Sequence, residues 1–183
     1  KLEYADGYLS KLNKNVQIDF SGIAKGWGVD RVALFLKDEG FENYMVEVGG
    51  EILVAGFNNF NSEWNLGIYA PEDSVAELYS TISISDLAVA TSGSYNNYFT
   101  LDNTNYSHII NPKIGFPIRH DLVSATVVAK DCATADAIAT AVMVKGFNLG
   151  LEWINSLIDI ECLLIKKDDS GHYVAGKSNG FNY

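Results

Sequence analysis

Asp136 and Thr140 lie four residues apart in the run DCATADAIATAVMVKG, residues 131–146. On a helix, positions i and i+4 share a face. A carboxylate and a hydroxyl therefore project together from a segment that is otherwise alanine-rich and apolar. Two chemistries fit the pair. One is a solvent-facing helix edge, with the threonine hydroxyl bonded back to a carbonyl of its own helix. The other is a hard-cation site. Carboxylate and hydroxyl oxygens suit Mg²⁺ or Ca²⁺ and not zinc. Mg²⁺ manages with few protein ligands because water and substrate phosphate supply the others.

Four further stretches carry chemistry-bearing residues, each with a structural and a functional reading. SGIAKG (21–26) opens a helical pattern. Ser21 suits an N-cap and Gly26 makes room for packing, but free N–H groups and Lys25 at a helix start can also hold an anion. EVGGE (47–51) reads as a hairpin turn, or as bare backbone at Gly50, with Glu51 beside it, where a planar ligand approaches. ATSGSY (90–95) ends a strand, or offers Thr91, Ser92, Gly93 and nearby N–H groups to a phosphate or nucleobase. YSHIINPKIGFP (106–117) places His108 near a strand end before an Asn-Pro turn, where sites are commonly built.

The elements that must position these residues follow from hydrophobic periodicity. VQIDF (16–20) alternates as a short strand. The next helix sets Ile23, Trp27, Val32 and Leu36 at helical spacing and closes at Gly40. YMVEV and EILVAG flank Gly49-Gly50 as a hairpin. WNLGIYA, YSTISISD and LAVATSG read as strands, YFTL and YSHII as a second hairpin around DNTN. LVSATVVA (122–129) is a strong strand running into the Asp136 helix. A third helix covers about 148–157, followed by strands at 160–166 and near 172–175. The pattern predicts one α+β domain over 1–183, a largely antiparallel sheet with about three helices packed on it.

Composition narrows the function. The chain has 183 residues, 48% apolar and 20% charged, which is a globular balance. Its net charge of −10 excludes a nucleic-acid footprint, which needs a basic face. Two cysteines do not make a disulfide framework, and no apolar run approaches the roughly 18 residues of a transmembrane helix.

Taken in order, DFSGIAKGWGVDRV, VGGEI, AVATSGSYNNYF, YSHIINPKIGFP and SATVVAKDCATADAIATAVMVKG resemble the ApbE family, the FAD:protein FMN transferases. Asn111 departs from the pattern, which usually has Asp there. The resemblance implies Mg²⁺, or Ca²⁺ or Mn²⁺ in its place, held by Asp136, Thr140 and the carbonyl of Gly22. It implies Lys25 by the flavin nucleotide, Ser92 and Gly93 at the dinucleotide, and His108 beside the pyrophosphate; Gly50, Glu51 and Thr91 join them as ligand-binding candidates from the readings of their own stretches. FMN would pass from FAD to a Thr or Ser hydroxyl of an acceptor flavoprotein, releasing AMP. His108 is the candidate base, with Asp136 behind it. The alternatives are an FAD pyrophosphatase using the same metal, and a non-catalytic flavin-binding fragment. The resemblance also implies an extracytoplasmic, lipid-anchored protein.

Members of the family carry further residues before DFSGIAKG that complete the flavin pocket. The chain is accordingly expected to bind FAD more weakly than an N-terminally extended version and to self-associate through apolar surface. Calorimetric titration of FAD into both, with light scattering, checks this; equal affinity and a monomeric short chain would contradict it.

Overall fold

The computed structural model describes residues 2–69, 78–94, 98–101 and 104–183. The chain opens with a hairpin, β1 (Leu2–Ala5) and β2 (Tyr8–Lys11). Three helices are found among the described residues: α1 (Ala24–Asp38), α2 (Cys132–Lys145) and, separated from α2 by Gly146 alone, α3 (Phe147–Ile154). Between α1 and α2 run β3 (Tyr44–Val48), β4 (Glu51–Ala55), β5 (Trp64–Tyr69), β6 (Leu78–Ile84), β7 (Leu87–Gly93), β8 (Tyr98–Leu101), β9 (Thr104–Ser107), β10 (Ile110–Asn111), β11 (Phe116–Pro117) and β12 (Leu122–Ala129). After α3 come β13 (Glu161–Lys167) and β14 (Tyr173–Lys177).

Six strands form the main sheet in the order β14-β13-β12-β7-β4-β3. Every pairing in it is antiparallel. The fold is α+β. Alternation along β12 divides the core. Ala125, Val127 and Ala129 face α2 and pack with Ala135, Ala139 and Val142. Val128 faces the other way, into a cluster with Leu66 and Ile68 of β5 and Ile82 and Ile84 of β6. α1 covers β3 and β4 through Val29 and Ala33, which meet Val46 and Cys132. The interface between α2 and the sheet is built from alanines that are completely buried, Ala90, Ala125, Ala135 and Ala139 among them. Such small side chains let helix and strands approach closely, so even short polar side chains at its margin can touch.

Local chemistry explains most boundaries. Asp131 caps α2, its Oδ1 accepting from the Thr134 N–H at 2.8 Å. α1 ends in a Schellman motif: Gly40 has φ +88°, Gly40 N–H donates to Lys37 O, and Phe41 N–H to Leu36 O. Gly49 and Gly50, at φ +60° and +96°, make the tight turn between β3 and β4.

Four expectations fail. Residues 16–20 form no strand, and among the described residues no segment pairs with them. Ser21 is not the N-cap of α1; that position is Ile23, without a side-chain cap, and the Ser21 N–H instead donates to Asp19 Oδ1 at 2.7 Å. Ile23, Trp27 and Val32 do not face the core: they are 37%, 60% and 47% exposed, while Gly26, Val29 and Ala33 are buried. The large side chains drew the stripe, yet the small ones set the contact. The YSHII strand stops at Ser107 and a separate short strand resumes at Ile110. The β1–β2 hairpin was overlooked, although Asp6-Gly7, both at positive φ, is a strong turn signal.

Both cysteines are buried and unbridged. Burial pushes both thiols up to about 12, with the Asp30 carboxylate adding to the effect at Cys132. The thiolate is the reactive form. Neither cysteine should therefore react with a disulfide reagent at neutral pH until the chain is unfolded in guanidinium. Prompt labelling of the native protein would contradict this packing.

Candidate functional site

The N-terminal N–H groups of a helix lack partners within it. At the start of α1, one such group is satisfied by the other helix: Gly26 N–H donates to Asp136 Oδ2 at 3.0 Å. The contact is so close that a Cβ at position 26 would sit 2.3 Å from the Cys132 carbonyl oxygen and 2.8 Å from the Asp136 Cβ. One turn further along α1, Asp30 reciprocates. Its Oδ1 accepts from Cys132 N–H at 2.8 Å and its Oδ2 from Ala133 N–H at 2.9 Å. Each helix start is thus capped by a carboxylate of the other, which the positive end of the helix dipole also favours.

Lys25 precedes this joint. Its ammonium lies 3.2 Å from the Gly49 carbonyl and 2.5 Å from Glu51 Oε2. The second contact is an ion pair, which gives charge compensation to an Oε2 that has no other partner among the described residues. Glu51 is fully buried. Burial raises its pKa, the Lys25 ammonium opposes that rise, and the Asp136 charge adds to it.

Gly22, in the turn before α1, lies against α2: a Cβ there would be 3.0 Å from Thr140 Oγ1. Thr140 Oγ1 is in turn 3.2 Å from Ser92 Oγ on β7. Gly22, Asp136, Thr140 and Ser92 therefore line one side of α2, with Lys25 and Glu51 at its α1 end. The donor set is all oxygen. Asp136 is 3% exposed, and among the described residues its carboxylate accepts one hydrogen bond. Among the described residues no group of three or more His, Cys, Asp or Glu side chains could enclose a metal. These residues fit a hard cation that draws most of its ligands from water and substrate; they do not fit a closed protein cage.

Other candidates fall elsewhere. Thr91 alternates to the opposite face of the sheet from Ser92, where its hydroxyl is 2.9 Å from that of Thr126. It does not join the cluster. Gly93 pairs with Ser124 at the end of β7. Gly50 holds the turn beside Glu51, and a Cβ there would meet open space. His108 is exposed just past β9. Its position is set by its neighbour: Ile109 N–H donates to Ser107 Oγ at 3.1 Å, and Ile118 N–H to Ile109 O at 3.0 Å. Asp30 escaped the sequence reading because its partners lie 102 residues away, and no local spacing signals such a contact.

Gly26→Ala forces a methyl group into backbone that cannot yield. The expected loss is ~3 kcal/mol, a fall in thermal midpoint on the order of 10 °C. Calorimetric melting checks it; an unchanged midpoint would show that the two helices are not in contact here.

Comparison with known proteins places this geometry. The model of the ApbE family matches residues 1–164. The FAD:protein FMN transferase of Vibrio cholerae is 45% identical over 163 residues, 89% of this chain and 48% of that protein. That of Haemophilus influenzae is 37% identical over 174 residues, 94% of this chain and 50% of its own length. The solved structure of flavin transferase ApbE from Vibrio cholerae superposes with a TM-score of 0.85 at 42% identity, covering 98% of this chain and 56% of that one. The chain spans about half the length of the curated relatives it matches. With a matching family model over most of its residues and a shared fold over nearly all of them, this chain belongs to the ApbE family.

Proposed function

We propose that this chain carries the phosphate-handling half of a transferase that moves FMN from FAD to a Thr or Ser hydroxyl of an acceptor protein. The observation that supports it is the oxygen-lined side of α2, where Gly22, Asp136, Thr140 and Ser92 converge beside the Lys25–Glu51 pair. The curated relatives are named FAD:protein FMN transferase, which supports flavin transfer to a protein.

In the proposed reaction the acceptor hydroxyl oxygen attacks the phosphorus of the FMN half. The P–O bond to the AMP phosphate breaks, AMP leaves with that oxygen, and the hydroxyl proton passes to a base. Asp136, Thr140 and the Gly22 carbonyl would hold Mg²⁺, with Ca²⁺ or Mn²⁺ as substitutes. The cation's contribution is to neutralise charge on the phosphate oxygens. Thr140 and Ser92 orient the pyrophosphate by hydrogen bonding. Lys25 offers a positive charge at the α1 end while Glu51 and Gly49 fix its position. His108 takes the proton, a role imidazole commonly fills, and its exposure lets a bulky protein acceptor reach it. Asp136 serves this role less well, because it is buried and its carboxylate already accepts the Gly26 N–H. That same exposure of His108 admits water, which would turn the site into an FAD pyrophosphatase when no acceptor is present.

The location outside the cytoplasm belongs to the same proposal. No helix among the described residues is long and apolar enough to cross a membrane.

The test supplies FAD, Mg²⁺ and a Thr/Ser acceptor peptide to this chain and to a fusion in which it replaces the matching half of the Vibrio cholerae relative. Mass spectrometry should find acceptor carrying FMN, with AMP in equal amount. His108→Ala should slow transfer by about 10²–10⁴-fold while a separate FAD titration is unchanged. AMP and free FMN with no adduct would favour the pyrophosphatase. No AMP from the fusion at all would overturn the catalytic reading.

A further inference from the structure

The sequence contains a single Asn-Gly pair, Asn179-Gly180. It follows β14, beyond the residues matched by the ApbE family model. Asn-Gly is the dipeptide most prone to lose side-chain ammonia, because glycine has no Cβ to shield its nitrogen or restrict its backbone. The fold nevertheless favours glycine here. A Cβ at position 180 would lie 2.7 Å from the Glu161 carboxyl carbon and would push that carboxylate off its partners.

Those partners hold the pair still. Glu161 Oε2 accepts from the Gly180 N–H at 3.1 Å and from the Ser178 hydroxyl. Ser178 is tied to β13: its Oγ accepts from the Cys162 N–H at 2.8 Å, and its own N–H donates to Cys162 O at 3.0 Å. The Asn179 N–H donates at 2.8 Å to Asn155 Oδ1, at the end of α3. Phe181 then enters the core cluster of Val54, Leu66 and Ile82, where it is buried. Asn179 itself is exposed. Water reaches its side chain while the backbone on both sides is pinned.

We propose that Asn179 is a deamidation site and that Glu161 is the residue that keeps it closed. In the covalent step the Gly180 nitrogen attacks Asn179 Cγ. The bond from Cγ to the side-chain nitrogen breaks, and ammonia leaves with the proton of the Gly180 N–H. Water then opens the five-membered succinimide to aspartate or isoaspartate. The attacking nitrogen is the one whose proton Glu161 holds, so ring closure has to wait until that hydrogen bond breaks and residues 178–181 turn. The product adds negative charge where Glu161 and Asp159 already stand. Burial, then the charges of these two, raise the Tyr183 pKa, so both carboxylates are felt in this stretch. Isoaspartate also lengthens the main chain by one methylene. Either product loosens the clasp that seats Phe181. None of this depends on the flavin reading.

The test incubates wild type, Glu161→Ala and a synthetic peptide spanning residues 176–183 at mildly alkaline pH, below the melting temperature. Peptide mapping by mass spectrometry reads aspartate and isoaspartate at position 179. Wild type should deamidate about tenfold or more slowly than the peptide, since it reacts only through the opened segment. Glu161→Ala should approach the peptide rate while its melting curve still shows a cooperative fold. Asn179→Asp, which mimics one product, should melt about 2–4 °C below wild type. A wild-type rate equal to that of the peptide overturns the proposal, and this comparison stands even where Glu161→Ala fails to fold. A folded Glu161→Ala that deamidates as slowly as wild type removes Glu161 from the account. An Asn179→Asp chain that melts with wild type overturns the loosening of the clasp.

Discussion

The close approach of α1 and α2 at Gly26 is the constraint on which the rest of the site depends. Two helices that start side by side expose unsatisfied N–H groups toward each other. Here each start is met by a carboxylate from the opposite helix, Asp136 for Gly26 and Asp30 for Cys132 and Ala133. Leaving one such buried group unpaired costs roughly 1–3 kcal/mol. The position of Lys25 and Gly22 follows from this joint. Both lie within about a turn of Gly26, so locking that residue brings Lys25 over Glu51 and Gly22 against Thr140.

The joint also concentrates negative charge. Asp30, Asp131, Asp136 and Glu51 all act on Cys132 in the same direction, and Lys25 is the one ammonium paired with the cluster among the described residues. Helix N-termini compensate Asp30, Asp131 and part of Asp136. Glu51 relies on Lys25. The surplus of carboxylate oxygen in an acidic chain is the physical reason that an anionic dinucleotide would need a cation as intermediary.

How much of this was legible in the sequence depended on how local the cause was. LVSATVVA and the Asp136 helix were readable because an unbroken apolar strand and an alanine-rich helical run are each written within a few residues. The Gly49-Gly50 turn was readable for the same reason. The face of α1 was not: Trp27 and Ile23 carry the strongest apolar signal, yet glycine and alanine make the contact because backbone proximity excludes larger groups. Thr91 and Ser92 looked equivalent in sequence, and strand alternation sent their hydroxyls to opposite faces. The Asp30 cap depends on contacts between segments far apart in the chain, which spacing cannot show.

The central claim is that Asp136 serves both as the cap of α1 and as a cation ligand, whereas Asp30 is a cap alone. Calorimetric titration of Mg²⁺ in the presence of FAD separates these roles when applied to Asp136→Asn and Asp30→Asn, with melting temperatures recorded for each. Both variants should lose stability, since each weakens a cap. Mg²⁺ affinity should collapse in Asp136→Asn and survive in Asp30→Asn. Equal Mg²⁺ affinity in the two would contradict the account and leave the cluster as a structural joint between helices.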